Sequence, residues 1–357
     1  MIQIGINIAV KGAGISGPPT APPVNSTLPV ISGTTSVGSV LNTTNGTWTN
    51  SPSSFSYQWK RGATNIGTNT TTYTLVQADA AQNITCVVTA TNASGSANAT
   101  SNILYIYDLD AQTFITNATI SNSTQQQAIN NLVIGLKSDS LWTKMLAVYP
   151  FVGGTPTTCK YNLKNPLDTD AAFRLNLEGG WTFSNNGIQP NGTNTYADTF
   201  LIPSTYWTLN DGSVSAYSRT NFNESKVLYG SKGPNFSSAV YPIFNTTTAN
   251  VFQNTVSAVT ISPTPTTTAA NLISSRINTN ELIVAVNGTA TPYVNTPTAL
   301  SPVSIYLSAR NNNNASNDLH SSRELAFAHI GTGLTQAECI LLYNRIQTFQ
   351  TTLGRQV

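Results

Sequence analysis

Charge is what this chain has least of. Asp, Glu, Lys and Arg make up 8% of its 357 residues, against roughly a quarter in an ordinary soluble domain. The net charge of +2 is scattered, with no run of Lys or Arg. A basic patch for nucleic acid is excluded on that ground, because such proteins gather their cations on one face. Long apolar runs are missing too. No stretch approaches the ~20 residues that span a bilayer, so no membrane insertion is expected. The N-terminus has no basic segment followed by a continuous apolar one, as a secretory leader would. Cysteine is scarce: Cys86, Cys159 and Cys339 are odd in number and far apart, which suits neither a disulfide framework nor a metal site. Each reads as a small buried apolar residue, and no metal or cofactor is expected.

Thr, Asn, Ser and Gly fill the gap. That composition favours strands joined by polar turns over helices. The triplets at Asn25, Asn69, Asn83, Asn191 and Asn287 match the N-glycosylation pattern. In a chain so rich in Asn, Ser and Thr they follow from composition.

Residues 2–10 alternate strictly, with Ile2, Ile4, Ile6, Ile8 and Val10 on one face. The Gly/Pro segment KGAGISGPPTAPPV follows as a linker, so residues 1–24 read as one strand and a hinge. A lone strand cannot bury an apolar face by itself. It either folds back on the chain's own sheet or adds to a partner assembly as a docking strand.

Residues 25–107 carry short strands between regular turn signals. Phe55, Tyr57 and Trp59 share one strand face; Ile84, Cys86, Val88 and Ala90 share another. Trp59 is expected to pack on Cys86 across the core, with Val40-Leu41 standing where a disulfide partner would be. Two residues before Cys86 stands Ile84, not the tyrosine of a tyrosine corner. The stretch LPVISGTTSVGSVLNTTNGTWTNSPSSFSYQWKRGATNI, then YTLVQADAAQNITCVVTATNASGSANATS, resembles the immunoglobulin-like repeats of bacterial surface and phage virion proteins. The resemblance covers residues 28–101 and implies a spacer or weak adhesin without an active site. A free cysteine in such a module suits assembly in a reducing host cytoplasm.

From Asp108 the pattern turns helical. Ser123 with Gln126 forms a capping box, and Ile129, Leu132, Val133 and Leu136 form a stripe; residues 108–145 read as a helical connector. Beyond it LAVYPFV, FRLNL, TFLIPST, VSAYSRT, ELIVAVNG, VSIYLSAR and ELAFAHI are strand candidates. In VSIYLSAR, Val303, Ile305, Leu307 and Ala309 alternate with Ser304, Tyr306, Ser308 and Arg310, as in a half-buried antiparallel strand. A C-terminal helix starts at Thr335 with Glu338 closing its box. Cys339, Leu342, Ile346, Phe349 and Leu353 form its buried stripe, and Gly354 stops it.

Many antiparallel strands in residues 146–357 imply a two-sheet jelly roll. The segments LWTKMLAVYPFVGG, DAAFRLNLEGGWTFSNNGIQPNGTNTYADTFL, AYSRTN and IGTGLTQAECILLYNRIQTFQTTLGRQV resemble a concanavalin-type lectin sandwich that recurs in bacteriophage structural proteins. The fold expected is therefore mainly β: an immunoglobulin-like sandwich, then a larger concanavalin-like jelly roll with a helical entry and a C-terminal helix.

That fold raises the question of sugar hydrolysis, which needs two carboxylates facing across a cleft. The lectin-fold hydrolases carry acids alternating along one strand. Here Glu178 stands alone in NLEGGW, and Asp168 with Asp170 lies in a loop-like NPLDTDAA, as a turn or helix entry or else a calcium site. His320 sits in an Asn-rich loop and His329 on a strand, with no nucleophile elbow beside either. No enzyme is expected. Trp181, Tyr196, Tyr206, Trp207 and Tyr217 lie in Asn/Thr-rich sequence. They are either glycan-stacking residues or core aromatics.

The resemblances imply a phage virion protein assembled in the bacterial cytoplasm. It would be displayed as a head decoration, fibre or tail appendage and docked on capsid or tail proteins through residues 2–10. Self-association as a homo-oligomer or in many copies is expected with it. The alternatives are a receptor-binding adhesin that recognises host glycans and, more remotely, a polysaccharide-degrading enzyme.

Overall fold

The computed structural model describes residues 21–234, 239–244 and 249–357. The docking strand Ile2, Ile4, Ile6, Ile8 and Val10 lies outside the described residues. The chain divides into two compact units, Met1–Ile106 and Tyr107–Val357.

In the first unit the long strands Ser54–Arg61 and Asn83–Asn92 pair antiparallel in one sheet, and Ile31–Ser32, Val40–Thr43 and Thr72–Thr74 form another. Asn83–Asn92 alternates buried and half-buried along most of its length, the period of a strand with one face in a core. Trp59, Cys86, Val88 and Ile84 from one sheet and Ile31 and Leu41 from the other make that core. Leu41 points in and Val40 points out. One expectation changes here. Trp59 and Cys86 are direct cross-strand partners within a single sheet, so they lie side by side instead of facing each other across the core.

The second unit has three layers. The helices Leu109–Asn117, Ser123–Ser138 and Gln336–Thr352 cover one face of a sheet that includes Met145–Tyr149, Gly212–Ser218, Ala270–Arg276, Glu281–Val286, Thr289–Val294 and Leu325–Gly331. Its other face packs on an outer sheet that includes Asn176–Glu178, Tyr196–Asp198, Tyr306–Leu307, Tyr229–Lys232 and Ala249–Gln253. Among the described residues pairing is antiparallel except where Arg310–Asn312 runs parallel to Tyr229–Lys232. This is a mainly β, sandwich-type architecture.

The helical segment expected as a connector belongs to the second unit. Ile129, Leu132, Val133 and Leu136 pack with Leu342, Ile346 and Phe349 against Tyr217, Ile273 and Phe327 of the covered sheet. Each such side chain contributes about 1.5–3 kcal/mol when fully buried. The cap falls one residue earlier than the pattern suggested: Asn122 accepts from the Gln125 amide, and Gln126 donates to the Ile120 carbonyl. Thr335 and Glu338 form the expected box on the last helix. Gly135 is where the two long helices meet, since a Cβ there would lie 2.7 Å from the Arg345 side chain. Arg345 passes through that gap to grip Asp139 with two bonds of 2.7 and 2.9 Å.

Two strand expectations also change. TFLIPST breaks at Phe200, whose φ is +56°, and Pro203–Tyr206 is a helical turn. VSIYLSAR keeps only Tyr306–Leu307 in its strand, because Ser308 turns into the left-handed region at φ +61°.

Candidate functional site: the outward face of the second sheet

The structure separates the five aromatic candidates. Tyr217 is fully buried under the last helix, where its hydroxyl donates to Gln347 and accepts from the Val357 amide. Trp207 is 6% exposed and lies flat on Gly212, where a Cβ would come within 2.6 Å of the indole. Neither ring offers a face to a ligand. Both are core aromatics, the other reading of the same sequence. Trp181 is half-buried against the sandwich core, its indole N–H without a protein partner. Tyr206 is exposed and meets Phe173 edge-on at 4.8 Å. Tyr196 remains, and it has a companion.

Leu177, Ala197, Leu307 and Tyr229 point into the sandwich, so their neighbours on each strand point outward. Register then sets Asn176, Asp198, Tyr306 and Gly230 in one row across four strands, with Glu178 opposite Tyr196. Tyr196 and Tyr306 stack with centroids 4.5 Å apart and planes 19° from parallel. Asn176 donates to Glu178 at 2.9 Å. The Phe200 amide donates to Asp198 at 2.8 Å.

Burial raises the Tyr306 phenol to about 12, helped by Asp198, Tyr196 and Glu178. Burial and the same two carboxylates raise Tyr196. Burial also holds the Asp198 carboxyl above its ordinary value, against the bonds from Phe200 and Ser304. The face therefore offers neutral phenols as donors, carboxylates and an amide as acceptors, and aromatic surface for an apolar ring face. Tyr306 was not among the sequence candidates. The alternation in VSIYLSAR does place it on the polar side of its strand, and that was the usable signal.

The remaining candidates are engaged elsewhere. His329 is fully buried. Ser213 donates to the Thr332 carbonyl, so His329 Nε2 donates to Ser213 at 3.1 Å and Nδ1 accepts from Ser215 at 2.8 Å. Burial drives its pKa down to about 3. His320 Nδ1–H donates to the Thr195 carbonyl. Asp168 pairs with Lys160 and Asp170 with Arg174. Among the described residues no group of three metal-ligating side chains converges. Glu178 and Asp198 do share a face, as diagonal neighbours on adjacent strands, but Glu178 is exposed on the open sheet.

No family model matches this chain, and no curated protein matches it. Solved structures with distant likeness include domain 4 of a GH43 extracellular arabinanase from Geobacillus stearothermophilus in complex with arabinotriose. It is 14% identical with a TM-score of 0.36, over 56% of this chain and 98% of that one. The botulinum neurotoxin serotype D binding domain is 9% identical at 0.38, over 57% of this chain and 52% of that one. A Trypanosoma rangeli sialidase in complex with sialic acid is 10% identical at 0.35, over 88% and 52%. The chain thus spans about half the length of the neurotoxin and sialidase chains it matches.

Proposed function

We propose that this protein is a recognition component displayed on a bacteriophage particle, binding a host-surface glycan through the outward face of its second unit. The observation that carries the recognition role is the Tyr196–Tyr306 stack, set on one sheet face with Asn176, Asp198 and Glu178. A sugar ring has one apolar C–H face and a rim of hydroxyls, and this face supplies a counterpart to each. The role needs no bond-breaking step. The two carboxylates lie on an open sheet, whereas glycoside hydrolysis needs two carboxyl groups flanking the scissile bond from opposite sides of a cleft.

The particle assignment rests on the two sequence resemblances to phage proteins, and docking rests on the alternating segment 2–10. Both are tested by electron microscopy of particles labelled with antibody against residues 25–107, using full-length chain and chain lacking residues 1–12. Labelled particles with the full chain and none with the truncated one are expected. Equal labelling would remove the docking role, and no labelling with either would remove the particle assignment. Glycan binding is measured separately, on an array, with Tyr306→Ala as the comparison. Cleavage of a bound glycan that disappears in Glu178→Gln would replace recognition with hydrolysis.

A further inference from the structure

From a cavity at one edge of the second sandwich we infer a further binding site, independent of the Tyr196–Tyr306 face, that takes a neutral sugar ring. The outer sheet ends in the two-residue strand Val259–Thr260. Beyond it the loop Ile261–Thr266 faces the last two strands of the covered sheet across a cavity of about 300 Å³. Pairing of Val284 with Thr291 and of Val286 with Thr289 puts these four side chains on one face, together with Tyr293.

The lining defines the ligand. Ile261, Val284 and Val286 make an apolar floor, and Tyr293 adds a ring. Ser262, Thr264, Thr266, Thr289 and Thr291 set hydroxyls around it. The lining holds no Lys, Arg, His, Asp or Glu, so nothing there would compensate the desolvation of an ionic ligand. An all-hydrocarbon ligand would strand the hydroxyl rim without partners. A pyranose meets both demands, with its C–H face on the floor and its hydroxyls at the rim. Pro263 and Pro265 fix two φ angles of the covering loop, which reduces the ordering cost of closing it on a ligand. The volume is at the lower end for ligand pockets, which run from about 300 Å³ upward, and suits one or two rings.

The test is saturation-transfer NMR on the full-length chain with methyl glucoside, methyl galactoside, methyl mannoside and N-acetylneuraminic acid. At least one neutral glycoside is expected to take up saturation. Its signal is expected to disappear in Thr291→Trp, which fills the cavity, and in Thr264→Trp, which fills it from the loop side. Tyr306→Ala should retain the signal. Thermal melts show whether each variant folds, and the loop variant serves if the strand variant does not. The inference is overturned if no neutral glycoside binds, if N-acetylneuraminic acid binds equally well, or if binding survives both cavity-filling variants. Binding lost in Tyr306→Ala and kept in Thr291→Trp would also overturn it, while leaving recognition by the sheet face intact.

Discussion

Trp59 and Cys86 are opposed residues on adjacent antiparallel strands, both fully buried in the core of the first unit. The Trp59 indole donates to the Thr70 carbonyl at 2.9 Å and stacks on Tyr73 at 5.6 Å. The thiol is thus one member of an apolar cluster completed by Leu41 from the other sheet.

All three thiols are buried, and burial raises the pKa of each, Cys339 to about 12. Thiolate is the reactive form. Native protein is expected to give no fast reaction with a disulfide reagent at pH 8, and three equivalents after denaturation. A fast native equivalent would contradict the burial of that residue.

Asp79 holds the first unit together at one point. Its carboxylate, fully buried, accepts from Arg61 at 2.7 Å, the Tyr73 hydroxyl at 2.9 Å and the Val76 amide at 2.8 Å. Removing one partner of a buried pair costs about 3–5 kcal/mol. Asp79→Ala is expected to destabilise this unit at the low end of that range, because Arg61 is partly exposed and regains water. A urea titration that shifts by less than 1 kcal/mol, about a fivefold change in the unfolding constant, would contradict this.

His329 makes acid stability predictable. Its folded pKa near 3 lies below the unfolded value of ~6.5. Between those two values the unfolded state binds the extra proton. Stability is therefore unaffected by this group above pH 6.5 and falls by about 1.4 kcal/mol per unit as pH drops toward 3. Melts of wild type and His329→Gln between pH 7 and 4 should show a shallower decline in the variant. Parallel declines would mean that His329 takes up its proton in the folded state.

Arg355 is a fully buried cation held by neutral acceptors, with the Glu324 carboxylate acting on it at longer range. It donates to Gln350 and to the carbonyls of Pro150, Phe151, Asn185 and Ala326, tying the last turn of the chain to three separate backbone segments. Arg355→Ala orphans those acceptors, each worth about 1–3 kcal/mol when buried unpaired. A loss of ~3 kcal/mol in the second unit is expected in a denaturant melt. An unchanged midpoint would show that the acceptors find water.

Local signals carried far in this sequence. The helices Ser123–Ser138 and Gln336–Thr352 were legible because apolar spacing and caps act within a few residues. The strand Asn83–Asn92 was legible because one face is core and the other is not. Ala270–Arg276 was missed for the opposite reason: all seven positions are buried, so no period-two pattern exists. Its Ser and Arg residues bond mostly to partners distant in sequence, as in the bonds from Ser275 to the Leu334 carbonyl and from Arg276 to Asn295. The candidate site was half legible. Tyr196 and Glu178 were singled out, but their companion Tyr306 joins them only through register between strands over a hundred residues apart in the chain, and Asp198, on the same strand as Tyr196, gains its place in the row from that same register. Trp207 and Tyr217 look like surface aromatics in a polar sequence and are core residues because Gly212 and the last helix cover them.

The most direct measurement is glycan-array binding of the full-length chain beside its Tyr306→Ala and Tyr196→Ala variants, followed by titration of any glycan retained. A bound glycan with affinity at least tenfold weaker in Tyr306→Ala, about 1.4 kcal/mol, is the predicted result. A glycan bound equally well by wild type and both variants, or no glycan bound at all, would contradict recognition by the outward sheet face.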